Sequence, residues 1–211
     1  MPRPLLVQRY GIYLQKKLNL TDENAEMAAF GFEVILTYIL PMVAIILAGW
    51  LLNCLSLVLT ASGVAAWLKL FAGGAHSSSM LRCSMMGAVV GGVIGKLAAV
   101  AGPVLSTGQI LIFILITLAV SLGACWKLAP VKSKNRQNID PVRLKEMRNH
   151  AMMATITTGF VALTLALFSG KTGAPYALAT GQAMLWQSFI MTSAGKNAID
   201  FMDNFFTTKS V

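Results

Sequence analysis

The chain alternates long apolar runs with short basic segments. A window of about 20 residues, the length a helix needs to cross a hydrocarbon core, finds apolar spans at 30–49, 50–68, 84–102, 108–128, 151–169 and 174–194. The pattern predicts an all-α, polytopic membrane helix bundle of about six spans. The first two spans nearly merge, because only Gly49-Trp50 and Asn53 mark a turn between Phe30 and Leu68. A count of four or five spans, with one long tilted helix, is the alternative. The third span is thinned by Gly87, Gly91, Gly92 and Gly95 and interrupted by Lys96. Its small residues let it pack tightly against a neighbouring helix, or it inserts only in part.

Ahead of the first span, Leu5, Leu6, Arg9, Tyr10, Ile12, Tyr13, Lys16 and Lys17 mix apolar and basic positions at helical spacing. This predicts an amphipathic helix on the membrane surface, which either anchors the chain or helps to hold an amphipathic substrate there. Thr21-Asp22-Glu23-Asn24 then reads as an N-cap with an acidic first turn for the next helix. The expected organisation is an N-terminal amphipathic segment at 1–29, a membrane-embedded domain at 30–194 and a tail at 195–211. Inside the domain, loops at 69–83 and at 129–150 lie on the same side.

Composition supports the membrane reading: 56% of residues are hydrophobic and 12% charged, against about 25% charged in an ordinary soluble domain. The net charge of +9 does not point to nucleic acid, because the basic residues sit between apolar spans rather than along a groove with aromatics. With six spans and an internal N-terminus, every one of the 17 basic residues except Lys96 and Lys171 falls on the inner side. Positive charge therefore places both termini and both loops in the cytoplasm. The basic loop at 129–150, bent by Pro130 and Pro141, suits a topogenic segment near anionic lipid. Met1 to Leu20 hold no continuous apolar stretch, so no cleavable signal peptide is expected. The cysteines at 54, 83 and 125 form neither a disulfide framework nor a paired metal-ligand spacing. No metal or cofactor is expected.

Chemistry concentrates in Gly73-Gly74-Ala75-His76 and in Cys83. A thiol with an imidazole in reach can attack a carbonyl as thiolate, and a glycine pair lets the backbone adopt conformations closed to other residues. Cys54 and Cys125 read as small hydrophobes inside spans. Cys83 differs in its company, with His76 nearby, Arg82 adjacent and Ser77-Ser78-Ser79 available to cap a helix. Cations and helix N-termini both favour a thiolate. Geometry adds a condition: on one straight helix, a seven-residue separation puts the two Cα atoms about 10 Å apart. A catalytic pair therefore requires His76 to belong to the Gly-Gly turn, with its ring folded back toward Cys83, or a closure on substrate that shortens the gap.

Lys69-Leu-Phe-Ala-Gly73-Gly74-Ala75-His76 followed by Cys83 resembles the signature of the accessory gene regulator B family, membrane peptidases that process bacterial quorum-sensing pheromone precursors. Phe30-Gly31-Phe32-Glu33, Ala129-Pro130 and Ile139-Asp140-Pro141 fit the same pattern in order. Three positions depart from it: Lys69 stands where Arg is frequent, Ser77 where a small apolar residue is usual, and Gly87 where Ser is common. The resemblance implies a cysteine endopeptidase in which His76 takes the proton of Cys83 and the thiolate forms an acyl-thioester with a short amphipathic pro-peptide. Interception by a side chain of the same peptide would close a ring, and water would give a linear product. It further implies a multi-pass protein of the bacterial cytoplasmic membrane, with the site facing the cytoplasm, and a homodimer.

Around this pair, Lys69, Gly73, Gly74 and Arg82 are expected to shape the substrate loop. Glu33, an acid within a span, is a candidate for orienting the imidazole or substrate. Gln182 and Gln187 in the sixth span are candidates for oxyanion donors or for bridges between helices. Lys96 is expected to pair or snorkel, and His150 to be an interface residue. The competing class is a non-enzymatic membrane protein, such as a peptide exporter or transporter subunit. Transport folds favour broken helices in matching halves, and no internal repeat is evident.

Overall fold

The computed structural model describes residues 5–75, 80–131 and 140–208. Those residues form eight α-helices and no strand, in two compact units, Met1–Val43 and Ala44–Val211.

The first unit holds α1 (Leu5–Leu18) and the start of α2 (Asp22–Leu51). Between them Asn19 takes a left-handed conformation at φ 48°, which Asn tolerates better than most residues. Thr21 caps α2 as its sequence suggests, its hydroxyl accepting from the Asn24 N–H at 3.4 Å. The Gln15 amide donates to the Asp22 carboxylate across the turn. Tyr10 stacks on Phe32 with ring centroids 4.2 Å apart. Gly11 permits this contact, since a Cβ there would lie 3.1 Å from that of Ala29. Leu6, Ile12, Tyr13 and Leu18 remain exposed, a distribution suited to a helix that lies on a bilayer.

The second unit contains the end of α2, then α3 (Leu55–Ala72), α4 (Met80–Ala101), α5 (Thr107–Leu128), α6 (Pro141–Phe168), α7 (Gly170–Ile190) and α8 (Ser193–Thr208). The expected break in the first long apolar run is a turn at Leu52–Cys54, with Asn53 at φ 54°. α4 is a continuous 22-residue helix despite its glycines. Those glycines serve contact with α3: a Cβ on Gly95 would come within 2.6 Å of Val58, and one on Gly91 within 2.4 Å of the Ser62 hydroxyl oxygen. Lys96 crosses to the α2–α3 turn, donating to the Leu52 carbonyl at 3.2 Å.

Five helices, α2 through α6, are long and apolar enough to cross a membrane. α7 differs. Its 21 residues extend about 31 Å at 1.5 Å per residue, and it packs against α3, α4, α5 and α6. Ala174, Ala177, Ala179, Gly181 and Ala183 are buried along it, and such small side chains admit neighbouring backbones closely. Thr180, Gln187 and Ser188 are buried there as well. Enclosure by other helices relieves α7 of the need for an apolar surface, so it can do without the strongly hydropathic stretch that the other five carry. α6 corrects the expected extent of the basic loop: it starts at Pro141, so residues up to His150 form its first turns rather than a loop. The Asp140 carboxylate caps it by accepting from the Val142 N–H at 3.1 Å, and proline is well suited to the first helical position. His150 is exposed within this helix.

Candidate functional site

The helical break required between α3 and α4 is present. α3 ends at Ala72, and Gly73, at φ 72°, caps it by donating its N–H to the Lys69 carbonyl at 3.0 Å. Gly74 follows at φ 147°. Both values lie in the region that disfavours side chains, and space is restricted as well. A Cβ on Gly73 would sit 3.0 Å from the Val131 carbonyl oxygen, and one on Gly74 3.1 Å from the Ile190 side chain.

Four hydrogen bonds fix this turn from different elements. The Gln187 side chain on α7 donates to the Gly73 carbonyl at 2.7 Å. The Ala75 N–H donates to the Ile190 carbonyl at 3.1 Å, and the Val131 N–H to the Ala72 carbonyl at 3.0 Å. The Lys69 ammonium, on the last turn of α3, donates to the Ala75 carbonyl at 3.1 Å. The carbonyls of Ala72, Gly73 and Ala75 thus each accept a bond from outside the turn. The segment leading into His76 is held by α3, α7 and the stretch of chain after α5. His76 itself, with Ser77, Ser78 and Ser79, lies outside the described residues.

Cys83 lies in the opening turn of α4, partly exposed, whereas Cys54 and Cys125 are buried. Cys125 contacts the Thr155 hydroxyl at 3.3 Å, in keeping with a packed, inert thiol. Arg82 reaches α8: its guanidinium donates to the Asp203 carbonyl at 2.7 Å and lies 3.7 Å from the Asp203 carboxylate.

The other expected participants are distributed differently. Gln187 is a bridge from α7 to the turn, and its Oε1 is buried with no hydrogen-bond partner. Gln182 also lies on α7 with a buried, unpartnered Oε1, and among the described residues no hydrogen bond joins it to the turn. Glu33 is half-buried on α2 in the first unit. The contributions of Asp203, Ile190 and Val131 were not anticipated. All three act through backbone atoms, Asp203 through its carboxylate as well, and backbone atoms leave no signature in residue type. Asp203 had a signal, as an acid on the polar face of a strongly amphipathic helix.

The long apolar helices α3 to α6, gathered around the enclosed α7, make this a multi-pass membrane protein, with the glycine turn at the end of α3. The chain belongs to the accessory gene regulator B family, whose model matches residues 8–191. It is similar to the AgrB-like protein 2 of Clostridium perfringens strain 13, at 24% identity over 91% of this chain and 92% of that protein. An AgrB-like protein of C. perfringens strain SM101 is 22% identical over the same shares. No solved structure matches the chain. Membership supports a role in accessory gene regulator peptide processing.

Proposed function

We propose that the protein is a cysteine endopeptidase that cleaves a short amphipathic pro-peptide, with Cys83 as nucleophile and His76 as base. The observation that carries this reading is the setting of Cys83: the one partly exposed cysteine of three, in the opening turn of the helix that follows a glycine turn fixed by hydrogen bonds. His76 takes the Cys83 proton, and the thiolate adds to a peptide carbonyl. Collapse of the tetrahedral adduct breaks the C–N bond, and the leaving amine receives the proton from His76. The acyl-thioester is then attacked by a thiol or hydroxyl of the same peptide, which closes a ring and frees Cys83, or by water. The excess of basic residues on one set of connecting segments favours a site and both termini on the cytoplasmic face of a bacterial membrane.

Co-expression with a candidate precursor, read by mass spectrometry, tests the assignment. Wild type is expected to release the C-terminal part of the precursor, and Cys83→Ala and His76→Ala to leave it intact. Processing by Cys83→Ala at the wild-type level would remove the thioester mechanism. Trapping of a covalent adduct with Cys83→Ser, at the ester rather than the thioester mass, would support it.

A further inference from the structure

We propose that the cavity between Ala129–Pro130 and the first turns of α6 binds the phosphate of an anionic phospholipid headgroup. The cavity has a volume of about 310 Å³ and is lined by Ala129, Pro130, Pro141, Leu144, Lys145 and Arg148. Its size is at the lower end for small-molecule sites, about 300 to 1,000 Å³. Of its described lining residues four are apolar and two cationic, and none is acidic. The Arg148 Nε is buried and has no hydrogen-bond partner among the described residues. A buried guanidinium N–H without an acceptor is costly, and the acceptor best matched to a planar guanidinium beside an ammonium is a phosphate or carboxylate oxygen.

Trp126 decides between sources of that oxygen. The Arg148 guanidinium carbon lies 5.1 Å from the centroid of the Trp126 ring, and Trp126 is 60% exposed in the last turn of α5. An outward-facing tryptophan at the end of a span marks the headgroup level of a bilayer. There it orients the guanidinium by a cation–π contact, and basic pockets between spans at that level suit anionic headgroups. The apolar walls then accommodate glycerol and the first acyl carbons. The site is distinct from the turn at Cys83, and its occupancy requires no peptide.

Native mass spectrometry of the full-length protein in detergent, titrated with phosphatidylglycerol or phosphatidylcholine, tests the site. Wild type is expected to retain phosphatidylglycerol preferentially. Arg148→Gln and Lys145→Gln should each lower that preference about fivefold, as expected for loss of one cation near a membrane surface. Arg143→Gln, an exposed cation of the same helix that does not line the cavity, should leave it unchanged. Leu144→Trp fills the cavity without altering charge and should also abolish the preference, a check that remains if the arginine variant fails to fold. An undiminished preference in both Arg148→Gln and Leu144→Trp overturns the proposal. Displacement of the lipid by equimolar inorganic phosphate would assign the site to free anion instead, and equal displacement by an oligoglutamate peptide would assign it to an acidic peptide.

Discussion

At the residue scale, the turn at 73–75 is defined more by what holds it than by its glycines alone. Gly73 has a positive φ, and its carbonyl is met by Gln187. Gly73→Ala is expected to cost about 1 to 2 kcal/mol from the left-handed backbone alone, whereas Gln187→Ala loses one buried hydrogen bond, about 1 kcal/mol. Thermal unfolding in detergent should rank them in that order, with processing of precursor reduced by both. Equal stability of Gly73→Ala and wild type would mean that these contacts do not fix the turn. Lys69 gives a further test, through its bond to the Ala75 carbonyl. Lys69→Met should reduce processing of precursor, and Lys69→Arg, which keeps a donor for that carbonyl, should retain more of it. The glycine pair and Cys83 were legible in sequence as unusual residues for an apolar chain. The bond from Lys69 to the Ala75 carbonyl was not, because it depends on how the chain turns after α3.

At the element scale, the glycines of α4 divide into two groups that the sequence presents as one stripe. Gly91 and Gly95 meet α3 and Gly92 meets Leu52, whereas a methyl added at Gly87 would meet no neighbouring side chain within 4 Å. A small-residue stripe can serve contact within a chain or between chains, and most of this one is used within the chain by α3. Gly95→Ala forces a methyl to within 2.9 Å of the Val58 backbone nitrogen, which cannot yield without moving the helix. Overpacking of this kind costs about 1 to 3 kcal/mol. Gly87→Ala, by contrast, should be neutral or stabilising by up to about 1 kcal/mol, through helix propensity. Unfolding midpoints of the two variants check the distinction; a Gly95→Ala protein as stable as Gly87→Ala would contradict the packing. Helix limits were legible where local chemistry marked them, as at Thr21 and Asn53. The start of α6 was obscured because hydropathy locates the apolar part of a helix and not its polar beginning, even though Asp140-Pro141 carries a cap and an N1 proline.

At the scale of the whole molecule, six apolar runs mark the sequence, five of them in helices apolar enough to cross a membrane, and the sixth in α7, which other helices enclose. Exposed Ile112, Leu115, Ile116 and Val120 give α5 an apolar exterior, while α7 carries buried Thr180, Gln187 and Ser188. Polar side chains are expensive in hydrocarbon unless satisfied within protein, and α7 meets this condition partly through its neighbours. The Ser188 hydroxyl donates to that of Ser121 at 2.9 Å, and the Ser121 hydroxyl to the Met184 carbonyl at 3.3 Å. α7 should therefore depend on the assembled bundle for its place. Inserted singly into a host reporter protein, the segment 107–128 should enter the membrane efficiently, because Leu, Ile, Phe and Val each contribute about −0.3 to −0.6 kcal/mol at a helix centre. The segment 170–190 should enter poorly, and its insertion should rise when α5 and α6 precede it in the same chain. Glycosylation mapping of both fusions reads the inserted fraction directly. Efficient insertion of 170–190 alone would show that its hydropathy suffices, and that the surrounding helices stabilise the turn at Gly73 without being needed to bring Gln187 to it.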